Sequence, residues 1–88
     1  MSDETFKSLH GFFIEDLKIG QKDEIERKIT EKDIDDFSKL TGDNNPVHTN
    51  PDFAKQTIFK KKVAHGFLSA SLISTVIATK LPGPGSIY

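Results

Sequence analysis

Apolar and polar positions alternate over one segment in the first third of the chain. Across residues 23–30, Ile25, Arg27 and Ile29 fall on one side of an extended chain, and charged residues fall on the other. Because successive side chains point to opposite faces of a strand, this spacing predicts a β-strand. Residues 1–10 show no such order, and we expect them to be frayed.

A helical spacing follows directly after this segment. Ile34, Phe37 and Leu40 recur every three positions, which places them on one stripe of an amphipathic helix. Thr30 is a typical N-cap residue, and Gly42 is the residue type most common just after a helix C-terminus. The pattern therefore predicts a short helix that begins after Thr30 and ends at Gly42.

The chain then becomes polar over residues 42–50, which read Gly-Asp-Asn-Asn-Pro-Val-His-Thr-Asn. This composition predicts a loop stiffened by its proline. Asn50 followed by Pro51 is a typical N-cap and first-position pair, so we expect a second short helix there. Phe53 and Ala54 would form its apolar side.

The last quarter of the chain loses its charges. No charged residue occurs between Lys62 and Lys80, and large apolar side chains recur among small ones with helical spacing. A helix without a charged face is usually enclosed by protein, so we expect a long buried helix. The Pro-Gly-Pro-Gly run at residues 82–85 would end it, and residues 86–88 have the composition of a second strand that starts there.

These elements do not close a hydrophobic core. A buried helix needs a covering surface, and one strand with the start of another cannot provide it. Either a partner supplies the sheet or the chain carries part of a larger domain. We therefore expect residues 1–88 to form a single, incomplete domain.

Composition changes this picture mainly by exclusion. The 88 residues carry 12 Lys and Arg against 13 Asp and Glu, whereas nucleic-acid-binding domains usually show a basic excess. The sequence has no cysteine, which excludes disulfides and cysteine-based zinc sites. No apolar run reaches the ~20 residues of a membrane span, and the polar start does not resemble a signal peptide. We expect a cytoplasmic protein that binds neither nucleic acid nor membrane.

The first candidate for chemistry lies in the polar loop. Asp43 and His48 are five residues apart with a proline between them, so a tight turn can bring a carboxylate and an imidazole to one point. Such a pair can hold a water molecule and exchange protons with it, because free histidine titrates near neutral pH. The plainer alternative is that Asp43 caps a turn and His48 lies on the surface.

The second candidate is the pair His65 and Gly66, at the predicted start of the long helix. Helix N-termini present unpaired N–H groups and a positive dipole end, and Gly66 would let a ligand approach the backbone closely. This arrangement suits a developing oxyanion such as the enolate of a thioester. The alternative is that Gly66 only relieves crowding between a helix and a sheet.

Together these motifs resemble a known family. The string Phe-Ser-Lys-Leu-Thr-Gly-Asp-Asn-Asn-Pro-Val-His at residues 37–48 is followed by Phe-Ala at 53–54 and Val-Ala-His-Gly at 63–66. It resembles the signature of the MaoC-like (R)-specific enoyl-CoA hydratases, also called hydratase 2 proteins, over about residues 13–88. The resemblance implies an α+β hot dog fold, in which a curved antiparallel sheet wraps a long central helix, here truncated after that helix.

The resemblance also implies roles for individual residues. Asp43 and His48 match the catalytic pair that activates water for addition to a trans-2-enoyl-CoA, and Gly66 matches the backbone N–H that holds the thioester oxygen. Asn45 and His65 are expected to bind substrate or shape the loop. The implied lyase reaction is hydration to an (R)-3-hydroxyacyl-CoA, or the reverse dehydration. It implies no metal and no cofactor other than the coenzyme A thioester of the substrate.

Two other functions stay open beside the hydratase. The chain would be a non-catalytic remnant or half-module if it needs a partner chain to complete its sheet. It would be an acyl-CoA thioesterase if it keeps the hot dog fold with different chemistry, although the Asp43 to His48 spacing around Asn45 and Pro46 favours a hydratase.

Two expectations concern partners. Hot dog proteins commonly pair, so the resemblance implies a homodimer or a higher homo-oligomer. Lys60, Lys61 and Lys62 form a basic run that could contact the phosphates of coenzyme A. A solvated charge run is the simpler interpretation.

Overall fold

The computed structural model describes residues 1–87, and their contacts divide into two compact units. One unit comprises Met1–Glu26 with the C-terminal residues from Ser71 onward, and the other comprises Arg27–Ala70. In chain order the helices are α1 (Asp3–Leu9), a 3-10 turn (Ile14–Asp16), α2 (Glu31–Thr41), α3 (Pro46–Thr49), α4 (Pro51–Lys55) and α5 (Gly66–Thr79). Every candidate site residue lies in the unit Arg27–Ala70.

Helix α2 forms where the sequence pattern predicts it. The Thr30 hydroxyl accepts a hydrogen bond from the Asp33 N–H at 3.2 Å, and the Asp33 carboxylate accepts one from the Thr30 N–H at 2.9 Å. This reciprocal capping box fixes the start of the helix. Gly42 ends it with a φ of 77°, a left-handed conformation that glycine adopts without steric cost. The predicted boundaries are confirmed.

The apolar stripe of α2 is only partly buried. Ile34 is buried and Phe37 is half-buried, but Leu40 is 83% exposed. The face that does become buried runs from Ile34 to Ser38, four positions later. A polar residue therefore lies on the covered face of this helix.

The polar segment contains one helix more than predicted. Asn45 and Pro46 start α3, and the Asn45 side-chain oxygen accepts a hydrogen bond from the Val47 N–H at 3.1 Å. The prediction of a loop over residues 42–50 is therefore wrong for residues 46–49. The physical reason is an Asn-Pro pair that acts as an N-cap and a first helical residue.

A further Asn-Pro pair, Asn50 and Pro51, starts α4, as the sequence predicts. The Asn50 side-chain oxygen accepts hydrogen bonds from the Asp52 and Phe53 N–H groups at 3.0 and 3.1 Å. Ala54 is fully buried, whereas Phe53 is exposed. The predicted helix is confirmed, with only half of its expected apolar side covered.

The predicted strands do not form within residues 1–87. Residues 21–30 have no regular secondary structure, although Ile25 and Ile29 are half-buried. Pro84 and Ser86 form an isolated bridge instead of a strand, and Tyr88 lies outside the described residues. A strand needs a neighbouring strand to pair its N–H and C=O groups. The alternating residues 23–30 have no such neighbour among the described residues, so they do not form a strand. The antiparallel sheet of the expected α+β fold is absent from this part of the chain.

The N-terminus is more ordered than the sequence suggests. Residues Asp3–Leu9 form α1, and the Ser2 hydroxyl accepts a hydrogen bond from the Thr5 N–H at 3.1 Å. Acidic residues in the first turn favour the helix dipole. The prediction of a frayed segment over residues 1–10 is wrong because this N-cap and these acids were overlooked.

Helix α5 forms as predicted but is not buried. It runs over Gly66–Thr79 and contains no buried residue, and Phe67 is 85% exposed. The helical prediction is confirmed and the prediction of burial is wrong for this chain, since burial requires a second surface. None of the helices within residues 1–87 has the length and apolar character needed to cross a membrane.

Candidate active site

His48 lies in α3 and is oriented by a backbone carbonyl. Its Nδ1 lies 2.7 Å from the Val63 carbonyl oxygen. Because a carbonyl only accepts hydrogen bonds, Nδ1 carries a proton, and the lone pair of the neutral ring is on Nε2. The Val63 N–H in turn donates to the Val47 carbonyl at 3.2 Å. Val63 therefore holds both the backbone of α3 and the ring of His48. Nε2 of His48 is the ring nitrogen left to act as a base.

His65 is the most deeply buried polar residue of the site. It is 2% exposed, and its Nε2 lies 2.9 Å from the Ser38 hydroxyl and 3.0 Å from the Asp43 carbonyl oxygen. The carbonyl again requires a proton on this nitrogen. The other ring nitrogen, Nδ1, is buried with no hydrogen-bond partner among the described residues. His65 thus ties α2 to the loop that carries Asp43.

The rings of the site are stacked. The centroids of His48 and His65 are 3.8 Å apart with planes inclined by 26°, and Phe37 packs on His65 at 4.8 Å and 54°. Offset or tilted aromatic contacts of this kind stabilise ring orientation. His65 therefore forms a fixed surface between α2 and the ring of His48.

Asp43 brings a carboxylate to the two imidazoles. Its carboxylate and one nitrogen of each of His48 and His65 all lie within 4.8 Å of one another. Two hydrogen bonds of about 2.8 Å through one water molecule span such a separation. The carboxylate also accepts a long hydrogen bond of 3.4 Å from the Asn45 N–H. It therefore caps the turn, and Asp43 remains exposed to solvent.

Asn45 and Gly66 lie in different local structures. The Asn45 side chain caps α3, as described above, so it shapes the loop. Gly66 is the first residue of α5, where backbone N–H groups lack intrahelical partners. A Cβ added to Gly66 would meet nothing within 4 Å among the described residues, so no crowding within this part of the chain requires a glycine here.

A metal ion fits this cluster poorly. Asp43, His48 and His65 are of the residue types that bind metals, but the two rings are nearly parallel. Their in-plane lone pairs therefore lie in two stacked planes, which hinders both nitrogens from reaching one ion at ~2.0–2.1 Å. The His65 Nε2 is also taken by Ser38 and Asp43.

The basic run divides into two kinds of lysine. Lys62 pairs with Asp35 at 3.3 Å, and its side chain is only 11% exposed. Lys60 and Lys61 are exposed. Neither interpretation of the run holds for Lys62, which is neither solvated nor available to phosphates.

Sequence reasoning missed Ser38 as a member of the site. The signal was present, because Ser38 follows Ile34 by four positions and so shares the buried face of α2. A polar residue on a covered face needs a hydrogen-bond partner. That partner, His65, lies 27 positions away and could not be identified from helical spacing.

Comparison with known proteins identifies the family. Residues 15–87 match the model of the MaoC like domain, and the chain belongs to this family. It is 50% identical over 76 residues to an (R)-specific enoyl-CoA hydratase of Rhodospirillum rubrum, covering 86% of this chain and 53% of that protein. It is 41% identical over 80 residues to a 3-hydroxybutyryl-CoA dehydratase of Methylorubrum extorquens, covering 91% and 51%.

Two solved structures agree with this assignment. The unliganded R-hydratase PhaJ1 from Pseudomonas aeruginosa matches with a TM-score of 0.79 at 50% identity, covering 84% of this chain and 48% of that one. The (R)-hydratase from A. caviae involved in PHA biosynthesis matches with a TM-score of 0.79 at 40% identity, covering 82% and 55%. The chain thus spans about half the length of these four relatives. These likenesses support the hot dog class, although residues 1–87 form none of its sheet.

Proposed function

We propose that this chain carries the acid–base site of an (R)-specific enoyl-CoA hydratase. The reaction adds water to a trans-2-enoyl-CoA to give an (R)-3-hydroxyacyl-CoA, and the reverse reaction is a dehydration. The observation that carries the proposal is the convergence of the Asp43 carboxylate with the His48 ring within 4.8 Å. The names of the relatives, an (R)-specific enoyl-CoA hydratase and a 3-hydroxybutyryl-CoA dehydratase, support the same chemistry.

In the proposed reaction, Asp43 and His48 hold the attacking water between them. His48 takes a proton from this water through Nε2, because Nδ1 is committed to the Val63 carbonyl. The water oxygen bonds to C3 of the substrate, and the double-bond electrons move onto the thioester as an enolate. The acid–base pair then returns a proton to C2, so that one water is added in total. General acid–base catalysis of this kind contributes about 10²–10⁴ in rate.

The enolate oxygen needs a hydrogen-bond donor, and Gly66 is the proposed source. Its backbone N–H lies in the first turn of α5, where the helix dipole also favours negative charge. The thioester of the substrate supplies the electron-withdrawing group, so the proposed reaction uses no metal or redox cofactor. Asn45 and His65 act in this scheme by shaping the loop.

The catalytic pair can be tested by following the loss of crotonyl-CoA absorbance with the full chain. We expect Asp43→Asn and His48→Gln each to lower kcat by about 10²–10⁴. The matched control is Asp52→Asn, since Asp52 is an exposed aspartate in the same unit. Undiminished activity in an Asp43→Asn, His48→Gln double variant would overturn the assignment.

The role of Gly66 allows a separate test. Gly66→Pro removes the N–H at the first helical position, where proline is well tolerated, whereas Gly66→Ala keeps the N–H and has room for its Cβ. We expect the proline variant to lose about 10²-fold or more in kcat and the alanine variant to keep most of it. Equal activity in the two variants would exclude the backbone donor.

A half-module is the second candidate, and one observation favours it. Helix α5 is apolar and has no buried residue, which leaves a surface suited to a covering chain. A complementary polypeptide could provide this cover. Size-exclusion chromatography and circular dichroism of the isolated chain test this proposal. A cooperatively folded, active monomer or homodimer would exclude it.

A thioesterase would use the same fold with a different outcome. It would release free coenzyme A thiol from a saturated acyl-CoA, which a hydratase leaves intact. We expect no thiol release above background, and thiol release without hydration would replace the proposed reaction.

A further inference from the structure

Ser38 is a buried member of the site that the proposed reaction does not use. It lies in α2, is 5% exposed, and its hydroxyl lies 2.9 Å from Nε2 of His65. A hydroxyl on a covered helix face costs free energy unless it is hydrogen-bonded. The contribution of Ser38 to the site therefore depends on its hydrogen bond with His65.

The direction of this hydrogen bond follows from a second neighbour. Nε2 of His65 also lies 3.0 Å from the Asp43 carbonyl oxygen, so one Nε2–H can serve both oxygens. If the Ser38 hydroxyl donated to a bare Nε2 instead, the nitrogen lone pair would face the carbonyl oxygen. The proton would then be on Nδ1, which is buried without an acceptor among residues 1–87. Ser38 therefore accepts the hydrogen bond.

Two acceptors from separate segments restrict the rotation of the His65 ring. Ser38 belongs to α2, and Asp43 belongs to the loop that follows it. The face of this ring supports His48, with centroids 3.8 Å apart. Any rotation of His65 would therefore displace the surface on which the proposed base rests.

We propose that Ser38 is a positioning residue, which acts through the Nε2–H of His65 to fix the orientation of His48 and the position of the Asp43 backbone. This inference rests on the proposed acid–base function of Asp43 and His48. Ser38 itself takes no part in proton transfer in the proposed reaction.

The direct test is NMR of the imidazole rings in the uniformly ¹⁵N-labelled full chain. In the wild type we expect the ring proton of His65 on Nε2 and that of His48 on Nδ1. We expect Ser38→Ala to shift or broaden the ring signals of both histidines, and Ser38→Thr to restore them. The control Lys39→Ala changes an exposed neighbour in the same helix and should leave the rings unchanged.

A kinetic measurement separates positioning from general destabilisation. We expect Ser38→Ala to lower kcat for crotonyl-CoA by about 10- to 100-fold, as loss of groups that orient functional residues commonly does. KM should stay within about a factor of two. If the wild type hydrates nothing, the proposed function fails while the ring spectra still test Ser38.

Two outcomes would overturn the inference. The first is a wild-type His65 that carries its ring proton on Nδ1, a result that does not depend on the folding of any variant. The second is a folded Ser38→Ala protein with unchanged His48 ring signals.

Discussion

The ring of His48 stacks on the ring of His65, with centroids 3.8 Å apart and planes inclined by 26°. One ring is half-buried and the other is almost fully buried. Each is anchored through one nitrogen by a backbone carbonyl, Val63 for His48 and Asp43 for His65. The sequence motif thus contains two histidines with different surroundings, and the proposed reaction uses His48 for proton transfer and His65 to support it.

Removing the His65 ring should destabilise the unit Arg27–Ala70. His65→Phe keeps an aromatic face for His48 but leaves the Ser38 hydroxyl and the Asp43 carbonyl without their donor. We expect a loss of about 1–3 kcal/mol in the free energy of unfolding. His65→Ala should lose more, because it also leaves a cavity. Urea denaturation followed by circular dichroism measures both, and equal stability of His65→Phe and the wild type would contradict the role of the Nε2–H.

Acid should weaken the start of α2 through Asp33. Hydrogen bonds from the Thr30 backbone, and then from its side chain, lower the pKa of Asp33 from its usual 3.8. Because the folded-state pKa is the lower one, the stabilisation is fully present above the unfolded-state pKa. It is lost as the pH falls through the folded-state value. We expect helix content to drop below about pH 4 in the wild type and less so in Asp33→Asn.

The measurement for this prediction is circular dichroism between pH 7 and pH 2, with carboxyl NMR of Asp33. Thr30→Ala should move the Asp33 pKa back toward its ordinary value by removing one hydrogen bond. An Asp33 that titrates at or above that ordinary value in the wild type would contradict the prediction.

The Lys62 to Asp35 pair should contribute measurably to stability. The Lys62 side chain is largely buried and the Asp35 side chain is about half exposed, so solvent screens the pair only in part. We expect a double-mutant cycle with Lys62→Met and Asp35→Asn to give a coupling of about 0.5–1 kcal/mol that weakens with salt.

A second pair in α2 provides the matched comparison. Lys32 and Asp36 are close in space but both well exposed. The same cycle there should give a smaller coupling than that of Lys62 and Asp35. The reverse order would show that burial does not strengthen the pair.

Gly42 should not tolerate a side chain, although there is room for one. A Cβ would meet nothing within 4 Å, but the φ of 77° is unfavourable for any residue with a Cβ. We expect Gly42→Ala to lower stability by about 1 kcal/mol. Gly66→Ala, also in open space but without a positive φ, is the control and should not be destabilising. Equal effects of the two substitutions would contradict the conformational explanation.

The helices were predictable where a local signal starts or stops them. Thr30, Gly42 and the Asn50-Pro51 pair each act through hydrogen bonds or dihedral angles within a few residues. The Asn45-Pro46 pair carries the same helix-start signal as Asn50-Pro51. The helix that it starts was missed because the segment was interpreted as a loop. The prediction of a strand over residues 23–30 is wrong for a different reason. Alternation of apolar and polar residues indicates which face of a strand would be covered, but it does not show which segment would pair with its backbone.

In the candidate site too, contacts between residues close in sequence were predictable and contacts between distant residues were not. Asp43 and His48 are close in sequence and joined by a short capped helix, so local chemistry was enough to predict that they could meet. Ser38 and the Val63 carbonyl reach the histidines across 27 and 15 positions, and no periodicity encodes such pairings. The linear sequence therefore specified the capped helices and the proximity of the proposed catalytic pair. Long-range packing specified which nitrogen of each histidine carries the proton, because that depends on the acceptor that the fold brings to it.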